Sequence, residues 1–165
     1  MRSLSEIICL PALIAFTSLF TGCASWRDTN PKIYDTRASG EQQLAESLRR
    51  AQTERKRVLL SLGANWCSDS QAMFRLFNTN AEIQHLISER YVFGMIDVNQ
   101  RGLRARNAAL LARLGIPVTT RIPVLLVLDE QGVLLNTDPG EHLADSDHAH
   151  PSVVLAYLRK WAEQP

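Results

Sequence analysis

The sequence predicts an α/β domain: a mixed four-stranded sheet with helices on both faces. Three observations lead there. Two apolar runs, residues 58–62 and 91–98, are separated by helical stretches, and strands joined through helices pair in parallel. A third run, "PVLLVLDEQGVLLNT", turns back through Asp129-Glu130-Gln131-Gly132, where the glycine suits a tight hairpin. A last amphipathic stretch ends the chain.

The elements follow in order. Ser39 opens a helix, with Gln42 at capping-box spacing. Leu44, Leu48 and Ala51 give that helix one apolar face up to about Arg55. "RVLLSLGA" comes next. Its apolar run is broken only by Ser61, as in a strand buried on both sides. Residues 68–78 form a helix with Met73, Phe74 and Phe77 on its apolar side. Asn80 caps another, in which Ile83, Leu86 and Ile87 face inward. After "YVFGMIDV", Leu103, Asn107, Leu110, Leu111 and Leu114 mark a helix that Gly115 ends in a left-handed conformation. The hairpin and a polar loop follow. Pro151 starts the final helix, whose apolar face carries Val154, Leu158 and Trp161. Arg159 and Lys160 sit near its end, where the helix dipole favours cations.

Length and composition fit one globular domain: 165 residues, 45% hydrophobic and 21% charged. A formal net charge of +1 argues against a nucleic-acid partner, which needs a concentrated basic surface. Arg101, Arg104, Arg106, Arg113 and Arg121 make a local basic bias that reads as a solvated face. The first 22 residues stand apart. "MRSLSEIICLPALIAFTSLFTGC" has Arg2 near its start and an apolar run too short for a membrane span and interrupted by Pro11, as in a signal sequence. Its end, Phe20-Thr21-Gly22-Cys23, resembles the lipobox of bacterial lipoproteins. That resemblance implies lipid on Cys23, a membrane anchor, and a place in the cell envelope. Ala24 after the cysteine implies the outer membrane, facing the periplasm. Residues 23–38 then read as a lipidated tether and residues 39–165 as the domain. Of three cysteines, Cys9 lies in the signal and Cys23 takes lipid. Cys67 is left as the free thiol of the mature chain.

Cys67 lies in "SLGANWCSDSQAMF". The order "GANWC", "IDV", "RIPVLLVLDEQG" resembles the thioredoxin-like superfamily, in particular exported thioredoxin-related proteins with a "WCxxC" site. The resemblance covers about residues 39–162 and implies a thioredoxin-like fold. It places Cys67 at a helix start, where free backbone N–H groups and the dipole stabilise a thiolate. Trp66 shields the site. Ile122-Pro123 matches the family's cis-proline, which offers backbone groups to an extended peptide; Pro117 competes less well, since no strand follows it directly. Two departures go together. Ser70 replaces the resolving cysteine, and Ser61 replaces the buried aspartate of many thioredoxins. They exclude a dithiol cycle within one chain.

The candidate site is therefore Cys67 as nucleophile, with Ser70 and Trp66 beside it and Ile122 and Pro123 binding substrate. A lone thiolate forms mixed disulfides with protein thiols or disulfides, and an external thiol resolves them. No cofactor is implied. His142, His148 and His150 sit in a loop after the hairpin, where a histidine could assist Cys67. Their spacing matches no closed zinc pattern; a copper(I) site with Cys67 is a minor reading. Asp97 and Asp129 read as strand-end and turn residues, and His85 as surface. Two functions stay open: monothiol exchange through Cys67, and a redox-inactive binding module that uses the proline groove.

Overall fold

The structure, a computed structural model, describes residues 32–98, 105–136, 143 and 150–163. The signal segment, Cys23, Leu103, Arg101, Arg104, His142 and His148 lie outside the described residues. The elements run α1 Gly40–Glu54, β1 Arg57–Gly63, α2 Ser68–Thr79, α3 Ala81–Arg90, β2 Tyr91–Asp97, α4 Ala108–Arg113, β3 Val124–Leu128 and α5 Pro151–Glu163.

Caps set the helix ends. Ser39 accepts from Gln42 N at 3.4 Å, and Asn80 accepts from Ile83 N at 3.0 Å, so each side chain satisfies a free donor of a first turn. Arg55 ends α1 at φ 53°, and Gly115 follows α4 at φ 69°. The latter is a left-handed position that costs glycine nothing.

The sheet order is β2-β1-β3. β1 pairs parallel with β2, from Arg57 opposite Tyr91 to Gly63 opposite Asp97. It pairs antiparallel with β3, from Val58 opposite Leu128 to Leu62 opposite Val124. The period of two along each strand sorts the core into two layers. Val58, Leu60, Leu62, Val124 and Leu126 pack with Leu44 and Ala51 of α1 and Leu110 and Leu111 of α4. Leu59, Leu125 and Val127 pack with Met73 and Phe77 of α2, Ile83 of α3, and Val154, Leu158 and Trp161 of α5. Tyr91 Oη donates to Leu158 O at 2.6 Å and ties α5 to the sheet.

The fourth strand is the correction. Three strands form among the described residues. The second arm of the expected hairpin is reduced to one antiparallel bridge, Leu128 to Leu134. The turn itself forms: Asp129 Oδ1 accepts from Gln131 N and Val133 N, and Gly132 sits at φ 89°. Beside the backbone bond from Leu135 N to Val127 O at 2.8 Å, a side chain takes over the pairing. Asn136, 2% exposed, accepts from Val127 N at 2.7 Å through Oδ1 and donates to Leu125 O at 2.8 Å through Nδ2. Its amide thus satisfies the edge of β3 in place of a backbone, and Tyr157 Oη also reaches Leu125 O.

Packing begins before Ser39. Residues 32–38, read from the sequence as part of a tether, lie against the domain, and Tyr34 is 2% exposed.

Candidate functional site

The sheet topology assembles the site. Because β1 and β3 are antiparallel, the segment leaving β1 meets the segment entering β3. Because β1 and β2 are parallel, Asp97 arrives at the same end. β1 ends at Gly63, and a turn follows in which Cys67 N donates to Ala64 O at 3.0 Å. Gln71 reaches back from α2 to Asn65 O at 2.6 Å and braces that turn. Cys67 is the N-cap residue of α2, with φ −85° and ψ 116°.

Across from it, Ile122–Pro123 is a cis peptide. Cys67 Sγ donates to Ile122 O at 3.5 Å. Cys67 is 7% exposed and Ile122 8%. Pro123 is buried, while Asn65 and Trp66 are half-buried. The thiol therefore touches solvent only through a narrow margin, with Trp66 packed against the same core layer.

Behind Cys67 three hydroxyls gather. Tyr34 Oη lies 3.0 Å from Ser61 Oγ. Ser70 Oγ, 1% exposed, makes no hydrogen bond of good geometry, yet it is near enough to the phenol to favour its ionised form. Both groups press on Gly63. A Cβ there would stand 2.3 Å from Tyr34 Oη and 2.6 Å from Ser70 Oγ, so glycine is required for close approach rather than for its dihedrals. Burial pushes the Tyr34 phenol up to about 12; hydrogen bonding to Ser61 and Ser70 opposes the rise, and the nearby Cys67 and Asp97 add to it.

Asn65 holds Tyr34 in place. Its amide accepts from Tyr34 N at 2.8 Å and donates to Tyr34 O at 2.9 Å, pairing the segment as a strand neighbour would. Asp97 is buried and pairs with the half-exposed Arg106, Nε to Oδ2 3.4 Å. Arg106 also donates to Thr36 O. Asn107 joins three segments: it accepts from Gly40 N and donates to Asp97 O, both at 2.9 Å. A cleft of about 790 Å³ opens beside Trp66, between residues 32–37 on one side and Asn65, Asp97 and Arg106 on the other.

The structure thus brings Cys67, Ser70, Trp66, Ile122 and Pro123 together. His150 is elsewhere in its bonding: it is exposed, starts α5, and its Nδ1 lies 2.8 Å from Ser152 Oγ. Among the described residues no group of three His, Cys, Asp or Glu side chains converges as metal ligands. Tyr34, Asn65, Gln71 and Asn107 are site-building residues that sequence reasoning missed. The one available signal was Tyr34, an isolated aromatic in the polar run "PKIYDTRA".

A parallel β1–β2 pair, an antiparallel β3 and a helix-capping cysteine against a cis-proline define a thioredoxin-type site with one thiol among the described residues. The chain belongs to the thioredoxin-like family, whose model matches residues 40–130. Among solved structures it is similar to the disulphide isomerase from Xylella fastidiosa Temecula1, with 28% identity over 78% of this chain and 95% of that one and a TM-score of 0.69. A thioredoxin from Thermus thermophilus shares the fold at 18% identity, over 70% of this chain and 81% of that one, with a TM-score of 0.50. Comparison with curated proteins gave no significant match.

Proposed function

We propose that the protein carries out thiol–disulfide exchange through Cys67 alone. The observation that carries this reading is the meeting of Cys67 Sγ, at the start of α2, with the carbonyl of Ile122 beside cis-Pro123. Free N–H groups at a helix start favour a sulfur anion. The 28% identity to a protein described as a disulphide isomerase points the same way. In the first step the Cys67 thiolate attacks one sulfur of a protein disulfide. A Cys67–substrate disulfide forms, the substrate's S–S bond breaks, and the other sulfur leaves as a thiolate that takes a proton from water. With Ser70 at the resolving position, an external thiolate attacks the mixed disulfide and restores the Cys67 thiolate. The substrates are protein thiols and disulfides of the periplasm, and lipid on Cys23 anchors the protein to the outer membrane.

The 7% exposure of Cys67 favours a second reading, a binding module in which the thiol is packing. One experiment separates them. The folded chain is incubated with 2-hydroxyethyl disulfide and analysed by mass spectrometry. Exchange predicts an adduct on wild type that is released by added thiol, and none on Cys67→Ser. A thiol that reacts only after unfolding in urea would leave the binding module. Detergent phase partitioning of wild type against Cys23→Ser tests the anchor.

A further inference from the structure

We propose that Tyr34 is a positioning residue of the Cys67 site, ordering the series Ser61–Tyr34–Ser70 so that the last hydroxyl donates to the ionised sulfur. The proposal rests on the exchange reading above. Tyr34 precedes residue 40, where the family match begins, so nothing in that match assigns it a role.

The thiol form of Cys67 donates to Ile122 O. An ionised sulfur has no hydrogen to donate, so it loses that bond and needs a donor instead. Ser70 is such a donor. It lies in the first turn of the helix that Cys67 caps, is 1% exposed, and makes no hydrogen bond in the thiol form. A buried hydroxyl left without a partner is costly, and a partner that appears only on ionisation accounts for it.

Tyr34 settles which way that hydroxyl points. Its ring is fixed by burial and its backbone by the two Asn65 bonds. Either oxygen of the 3.0 Å Ser61–Tyr34 pair can be the donor; with Ser61 as donor, the phenol's own hydrogen turns to Ser70 Oγ, which converges with it on Gly63, when the sulfur ionises. Ser70 then keeps its hydrogen for sulfur. Hydroxyls in series polarise one another, and all three are shielded from water. The phenol is protonated, and hence a donor, at neutral pH. The same burial places Tyr34 within electrostatic range of Cys67.

The test measures the rate of 2-hydroxyethyl disulfide with the full-length wild type, Tyr34→Phe, Ser70→Ala and the double variant. Tyr34→Phe keeps the ring and removes the hydroxyl. It is expected to react about fivefold more slowly, the factor that one net hydrogen bond represents. Ser70→Ala is expected to slow at least as much, and the double variant to be no slower than Ser70→Ala, because Tyr34 acts through Ser70. With ¹³C-labelled tyrosine rings, blocking Cys67 should shift the ring signal that Tyr34→Phe lacks. Tyr91 and Tyr157 pack in the other core layer and should stay put. Should Tyr34→Phe fail to fold, Ser61→Ala removes the phenol's partner and should slow the reaction in the same way. A Tyr34→Phe or Ser61→Ala rate equal to wild type, or effects of Tyr34 and Ser70 that multiply, overturns the proposal and leaves exchange intact. A wild-type thiol that does not react overturns both.

Discussion

Gly63→Ala probes the point on which the site's rear wall closes. The added methyl would stand 2.3 Å from Tyr34 Oη, 2.6 Å from Tyr34 Cζ and 2.6 Å from Ser70 Oγ. Ser70 can rotate about χ1 at small cost. Tyr34 cannot yield as easily, since its ring is buried and Asn65 bonds its backbone on both sides. The clash therefore falls on the Tyr34 segment. Overpacking of this kind costs about 1–3 kcal/mol, and an immobile phenol at such distances puts Gly63→Ala near 3 kcal/mol. Tyr34→Ala costs about 3–5 kcal/mol by the cavity it leaves, but it clears the space the methyl needs. The double variant should then lie about 2 kcal/mol above the additive expectation. Urea unfolding followed by circular dichroism measures all four proteins. Trypsin offers a second reading, because exposed Arg37 in the Tyr34 segment should be cut faster in Gly63→Ala. A loss below 0.5 kcal/mol (about the scatter for neutral surface changes), or full additivity, would refute the reasoning that Tyr34 is wedged against β1.

Other outcomes follow from the same contacts. Tyr34 is neutral when folded and its phenol lies above the ordinary value of 10.0, at about 12. Its share of stability is whole below about pH 10 and is lost as pH rises towards 12, because the unfolded chain releases the proton first; two units correspond to up to about 3 kcal/mol. Urea midpoints should therefore fall more steeply between about pH 10 and pH 12 in wild type than in Tyr34→Phe, and parallel slopes would contradict it. Asn136→Ala removes a 2% exposed amide, leaving Val127 N–H without its acceptor and Leu125 O with only the Tyr157 hydroxyl. A loss of about 3 kcal/mol is expected from thermal unfolding, with Asn136→Asp intermediate because it keeps the acceptor alone.

What the sequence disclosed was set by how local each signal is. The strands β1 and β2 read cleanly, because mostly buried runs are mostly apolar, with Ser61 and Asp97 as the polar exceptions inside and at the end. The helix caps Ser39 and Asn80 read cleanly too, since a cap and its donor lie within a turn. Pro123 was legible through its neighbours in the hairpin. Among the described residues the fourth strand is a single bridge: "VLLN" has the composition of a strand, but Asn136 supplies through its side chain bonds that a strand would supply through its backbone. The sequence pattern counts Asn107 among the residues that mark a helix, whereas it sits before α4 at φ 54° and bonds α1 and β2. Tyr34 stood out only as an isolated aromatic; its role was not legible because its partners, Asn65, Ser61 and Gly63, are distant in sequence and no spacing rule connects them.

The same contacts show why a site with one thiol can dispense with a buried acid behind it. A carboxylate in that space would have to be desolvated, at several kcal/mol unless fully paired. Two serines and a phenol fill the volume with groups that stay neutral below about pH 10 and can pass hydrogen bonds in either direction. Asp97, the acid that faces this region, is tied to Arg106 at the cleft instead. The rear wall is thus neutral and close-packed, and the charge lies to the side, in the buried Asp97 paired with the half-exposed Arg106. Among the described residues, the groups behind Cys67 are two serines and a neutral phenol, and none of them is a thiol that could expel an adduct. Under the exchange proposed above, release of a Cys67 adduct then falls to an external thiol.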